Sequence, residues 1–140
     1  MAQSAPHPAP LAEFPRLTRR FTQEHVNAYG ALNEDRNLIH YDAEFARQAG
    51  FSAPLVHGAM VAALLGDACR DYFGAGWAAG GTLSVKFIRP VLVGQAVTTG
   101  GRPHPEADAA AGRFLRLEVW CRNEAGEDVL VGEAGGVPAA

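Results

Sequence analysis

Two cysteines in 140 residues, without a CxxC pairing or metal-ligand spacing, exclude a disulfide framework and a cysteine-built metal site. Cys69 and Cys121 instead read as small buried hydrophobes in a reducing compartment. No basic run interrupts a chain of formal charge −3, so nothing offers the footprint that nucleic acid requires. No apolar run approaches a membrane span. Met1 to Pro10 lacks the charged start and apolar stretch of a signal peptide, and a cytoplasmic protein is expected. Internal repeats are missing too, which removes solenoids and propellers.

What remains is 48% hydrophobic and 19% charged, a globular composition. The length suits one domain with a real core. Residues 1–10, with three prolines and three alanines, are expected to be disordered; 11–136 form the domain; 137–140 fray.

Phe14 to Phe21 reads as an edge strand with Pro15 near its start. Thr22 reads as the N-cap of a helix through about Leu32, with Val26, Tyr29 and Leu32 on its apolar stripe and Gly30 weakening it. Asp42 caps a short helix, Ala43 to Ala49, whose inward side is Phe45 and Ala49; Gly50 stops it. From Val56 to Phe73 the chain is apolar nearly all round for its first ten residues. Such a helix must be enclosed, and Gly58, Ala59, Ala62, Ala63 and Gly66 let other backbone come close. A glycine-rich turn region follows, Gly74 to Gly81. Strands are then expected at Thr82–Phe87 (Leu83, Val85 and Phe87 inward), around Val97, at Phe114–Arg122 and at Asp128–Ala134. Gly100 to Gly112 reads as a long hairpin connection, and the Gly-Gly-Val-Pro-Ala-Ala tail as a frayed end. Helices followed by at least four antiparallel strands make an α+β fold, with the apolar helix across the concave face of the sheet.

Chemistry concentrates between Asp35 and Gly58. Asp35, Asn37 and His40 place an acid, a carboxamide and an imidazole within six residues, and His57-Gly58 opens the apolar helix. A carboxylate and an imidazole suit proton transfer, and a glycine at a helix start offers a free N–H to developing negative charge. Positions five apart lie about 140° apart on a helix and on opposite faces of a strand, so joint action by Asp35 and His40 needs an irregular loop or single turn. Taken alone, Asn33 to His40 reads equally well as a solvated polar connection in which His40 is a chance occupant.

At this point the residues resemble a known family. Asp35-x-Asn37-x-x-His40 followed by His57-Gly58, together with Phe87-Ile88-Arg89-Pro90-Val91-x-Val93-Gly94, is similar to the MaoC-like hydratases and dehydratases, which include the (R)-specific enoyl-CoA hydratases. The likeness runs from about Phe21 to Gly94. It implies a hotdog fold, an antiparallel sheet wrapped round a central helix. It also implies Asp35 and His40 as the catalytic pair, the Gly58 amide as the site of the thioester oxygen, and an orienting role for Asn37. Leu38 departs from the family's usual proline, so the loop loses a fixed φ there.

The reaction so implied is hydration of a trans-2-enoyl thioester, or its reverse, with neither metal nor cofactor. The thioester is carried by coenzyme A or an acyl carrier protein. Met60, Leu64 and Tyr72 are candidates for an acyl tunnel, equally good as plain core. Arg89 or Lys86 are candidates to meet coenzyme phosphates, and His57 either meets substrate or bonds to nearby backbone. A homodimer with joined sheets is expected. The competing readings are a hotdog thioesterase directing water at the carbonyl carbon, and a non-catalytic acyl-thioester-binding subunit.

Overall fold

The computed structural model describes residues 13–105 and 114–138. The expected disorder of residues 1–10 and most of the connection to Gly112 lie outside the described residues, as does the end of the tail. Five antiparallel strands form one sheet in the order β1-β3-β4-β5-β2. They are β1 (Thr18–Arg20), β2 (Thr82–Phe87), β3 (Ala96–Pro103), β4 (Leu115–Asn123) and β5 (Asp128–Gly136). The helices are α1 (Gln23–Asn33), α2 (Ala43–Gln48), α3 (Gly58–Phe73) and α4 (Ala75–Gly80).

The sheet curls round α3 in the hotdog arrangement. Val61, Leu64, Leu65, Ala68, Cys69 and Phe73 point from α3 into a core that β4 and β5 meet with Leu117, Val119, Cys121, Val129 and Leu130. The alternation read along β4 holds, Leu117, Val119 and Cys121 being buried. Each large aliphatic so buried contributes roughly 1.5–3 kcal/mol. Both cysteines are buried and free.

Several expectations are corrected. α3 is not enclosed on every side: Gly58, Ala59 and Ala63 are exposed, because one sheet of five strands covers only part of a helix's circumference. Gly74 to Gly81 is not a turn region but carries α4, whose Trp77 stacks on Phe73. In α2 the inward residue is Ala46, while Phe45 and Ala49 face out; the helix is too short for one apolar side chain to fix its rotation. Leu32 projects from α1 at 85% exposure, leaving Val26 as that helix's buried anchor. The first strand shrinks to Thr18–Arg20, and Gly135 and Gly136 are buried strand residues of β5, not a frayed tail. β3 runs on to Pro103, taking in glycines expected to be loop.

Candidate active site

The site begins where α1 ends. Glu34 turns left-handed (φ 58°) and its N–H donates to the Gly30 carbonyl, as does that of Asp35 at 3.2 Å. The Asp35 N–H is shared with Asn33 Oδ1 at 3.1 Å. Two side-chain turns then follow: Asn37 N–H donates to Asp35 Oδ1 at 3.0 Å, and Ile39 N–H to Asn37 Oδ1 at 3.1 Å. Asn37 thereby caps a 3-10 turn, Leu38–His40, at whose end His40 sits. Its contact is with the loop backbone, which is how it orients the segment.

Anchors from elsewhere hold the turn. Gln23 donates to the His40 carbonyl at 2.8 Å, and Leu55 N–H to the Ile39 carbonyl at 2.9 Å. His40 Nδ1 lies 2.9 Å from the Leu55 carbonyl, an oxygen that can only accept. Nδ1 therefore carries the proton of a neutral ring, and Nε2 presents a lone pair. That Nε2 is 3.6 Å from Asp35 Oδ2, with the His40 side chain 14% exposed and Asp35 35%.

The structure adds a second imidazole. His57 is buried and puts Nδ1 3.3 Å from the same Asp35 Oδ2. Its ring stacks on His40 with centroids 3.9 Å apart. Nε2 faces the Val26 carbonyl at 3.3 Å and the Tyr41 hydroxyl at 3.4 Å. Tyr41, just past the 3-10 turn, donates to the Asp35 carbonyl at 2.5 Å. One donor atom from each of Asp35, His40 and His57 falls within 4.8 Å of the others, a convergence that five-residue spacing alone did not reveal.

These contacts set the charges. The Asn37 amide is the largest influence holding the Asp35 carboxyl below its ordinary range, with His40 and His57 adding to it against partial burial. Burial, then His40, pushes His57 below the usual histidine value; the Val26 carbonyl and Asp35 oppose this. Burial, helped by Asp35, raises Tyr41.

Gly58 is the first residue of α3, and His57 at the cap gives that helix no side-chain hydrogen bond. Among the described residues no acceptor takes the Gly58 N–H. Gly58 and His40 border one cleft of about 310 Å³, walled by Leu55, Val56, Val61, Phe87, Ile88, Val91 and Val129. Its apolar lining suits an acyl chain. Phe87 leaves the core side of β2 and lies over Gly58, where an added Cβ would come within 3.0 Å of the ring.

The three candidates for an acyl tunnel do not line this cleft. Leu64 is core, Met60 packs against that core, and Tyr72 stands near the far end of α3 against Phe14. Arg89 borders the cleft, its guanidinium held by the Asp128 carbonyl and Glu127; Lys86 is exposed on β2. Tyr41, Phe87, Ile88 and Val91 escaped the sequence reading as site elements. The only signal available was proximity to the motif for Tyr41 and to the strand turn for Phe87.

Comparison with known proteins follows the same lines. A family model described as MaoC like domain matches residues 5–102. Over 83 residues (59% of the chain) the sequence is 36% identical to a mitochondrial 3-hydroxyacyl-[acyl-carrier-protein] dehydratase of Arabidopsis thaliana and, over an equal stretch, 36% identical to an (R)-specific enoyl-CoA hydratase of Aeromonas caviae. Those alignments span 48% and 62% of the two relatives, less than two thirds of either. The solved (R)-hydratase from A. caviae involved in PHA biosynthesis superposes with a TM-score of 0.74 at 26% identity, covering 94% of this chain and 98% of that one.

Proposed function

The chain belongs to the MaoC-like domain family, and on that premise we propose that it adds water to trans-2-enoyl thioesters with (R) stereochemistry, or removes it from 3-hydroxyacyl thioesters. The observation that carries this reading is the bare Nε2 of His40 beside Asp35 Oδ2, at the mouth of an apolar cleft that Gly58 also borders.

A trans-2-enoyl thioester is electrophilic at its β-carbon only while its carbonyl is polarised. The Gly58 N–H, with the positive end of α3 behind it, receives the enolate oxygen as water attacks. Asp35 orients that water and His40 Nε2 takes its proton. The carboxylate, 3.6 Å away, relays one proton to the α-carbon, so that a water is added across the double bond with nothing left over. Dehydration runs the same steps backwards. Only protein groups and water are used. The acyl chain lies along Phe87, Ile88 and Val91, and the carrier, coenzyme A or an acyl carrier protein, remains outside the cleft near Arg89.

A homodimer is part of the proposal. β1 and β2 are the two ends of the sheet, and the small-residue flank of α3 beside the site is bare.

The test is crotonyl-CoA with purified protein, following loss of enoyl absorbance against release of free thiol, then chiral analysis of the product across a chain-length panel. Enoyl loss with (R)-3-hydroxy product supports the reading. Thiol release alone makes the protein a thioesterase, and binding without turnover makes it an acyl-thioester-binding subunit.

A further inference from the structure

His57 stands at the N-cap of α3 yet does not cap it. A buried imidazole that forgoes the adjacent first-turn amides must answer to other partners, because burying a polar group without any costs free energy. Its partners are those of the reaction. Nδ1 meets Asp35 Oδ2 at 3.3 Å, and the ring is clamped between Tyr29, with centroids 4.9 Å apart, and His40. The opposite carboxylate oxygen, Oδ1, is already taken by the Asn37 amide. Asp35 is thus gripped at both oxygens, and among the described residues the other group at Oδ2 is His40.

We infer that His57 is a positioning residue for this reaction: its Nδ1–H holds the Asp35 carboxylate in the orientation that presents Oδ2 to the water and to His40 Nε2. This rests on the reading of Asp35 and His40 as the reacting pair. A charge-assisted bond to a carboxylate outweighs a neutral one to a carbonyl, so the single proton of a neutral His57 stands on Nδ1. Nε2 is left with two long contacts, the Val26 carbonyl at 3.3 Å and the oxygen of the Tyr41 hydroxyl at 3.4 Å, whose proton goes to the Asp35 carbonyl. The two stacked rings have the same tautomer turned to different partners: His40 is protonated at Nδ1 toward the Leu55 carbonyl with Nε2 free, and His57 at Nδ1 toward the acid. One ring is the base and the other sets the acid. Among the described residues the titratable groups in contact with the pair are Tyr29 from α1, Asp35 from the loop, and His40 and Tyr41 from the 3-10 turn and its end.

Two variants separate positioning from packing. His57→Leu fills the space without a donor; His57→Gln keeps a donor that does not titrate. On crotonyl-CoA, His57→Leu is expected to lose about 10–100-fold in kcat, the range that misplacement by an ångström produces, with KM within about threefold. The acidic limb of its pH profile moves to higher pH, because Asp35 has lost a donor to its charged form. His57→Gln regains most of the rate and returns the limb. Equal losses in both variants, or wild-type kcat and limb in a folded His57→Leu, overturn the inference. If the leucine variant fails to fold, nitrogen-15 NMR of the wild-type histidines decides. A protonated His57 Nδ1 whose signal moves in Asp35→Asn supports positioning; a bare Nδ1, or one indifferent to Asp35→Asn, overturns it. That second measurement needs no turnover, so an inactive wild type would defeat the proposed function while leaving this inference to stand or fall separately.

Discussion

The Tyr41 hydroxyl occupies the space that a Cβ on Gly30 would need. The glycine that weakens α1 in the sequence is what lets Tyr41 reach over the helix and tie down the Asp35 carbonyl. In an exposed helix Gly→Ala gains about 0.5–1 kcal/mol. Here overlap with the phenol reverses the sign, and overpacking typically costs about 1–3 kcal/mol. Gly30→Ala is therefore expected to lower the urea midpoint and to reduce the proposed activity by shifting the loop that carries Asp35 and His40. Its cost should be markedly non-additive with Tyr41→Phe in a double-mutant cycle, since the two residues touch. Additive costs would remove the link.

Asp35→Asn and His40→Gln each remove a titrating group while keeping its shape. Each should lower kcat/KM for an enoyl thioester by roughly 10²–10⁴-fold, the usual worth of general acid–base groups. Melting temperatures should change little, because neither side chain belongs to the hydrophobic core. A variant with wild-type rate would take that residue out of the reaction.

Much of this was legible in the residues. The β4 alternation and the apolar stretch opening α3 were enough to expect a sheet with a central helix, though not to tell which flank of that helix stays bare. Asp35, His40 and Gly58 were legible as a set only through the family resemblance of the motif, since the residues alone read equally well as a solvated connection. The Asp35–His57 contact was not: it joins residues 22 apart through a chain reversal that no local pattern encodes. The three candidates for an acyl tunnel do not line the cleft, for a similar reason. Met60, Leu64 and Tyr72 are apolar residues of α3, but which side of a nearly uniform helix faces the cleft is decided by where β2 and the Phe87–Val91 turn run. The helix α4 was hidden by glycine and alanine, whose small side chains mimic a turn until Trp77 stacks on Phe73.

Acid should weaken the fold in two stages. His57 has a folded value below its ordinary 6.5, so the unfolded chain binds its proton first; the stability it confers is full above that value and is lost as pH falls through the folded one. Asp35, also lowered, acts the same way beneath its ordinary 3.8. Urea midpoints measured downward from pH 7 should fall in the histidine range, and His57→Leu should flatten that part while leaving the carboxylate part in place. A midpoint independent of pH between 7 and 5 would contradict the burial of His57.

The thiols have the opposite sign. Burial pushes Cys69 and Cys121 up to about 12, from an ordinary 9.0. Their neutral forms are favoured in the fold, so this stabilisation is complete below the ordinary value and is lost as pH rises through it toward 12. Native protein at pH 8 should resist iodoacetamide at both positions, and urea-unfolded protein should take up two equivalents by mass spectrometry. Rapid native labelling at either would mean that the core beneath α3 opens easily.

The oxyanion role proposed for Gly58 can be isolated because proline is at home at the first position of a helix. Gly58→Pro removes the N–H with little cost to α3, and His57 already has the extended conformation (φ −61°, ψ 132°) that a residue before proline adopts. The ring will crowd Phe87, as any Cβ would. Gly58→Ala is therefore the reference: it crowds Phe87 alike and keeps the amide. Against that reference Gly58→Pro should lose a further 10²–10³-fold or so in kcat, what deletion of one oxyanion donor ordinarily costs. The ground-state thioester carbonyl carries less charge than the enolate, so KM should move far less than kcat. Equal rates for the proline and alanine variants would mean that some other donor meets the thioester oxygen, and that the helix start only closes the cleft.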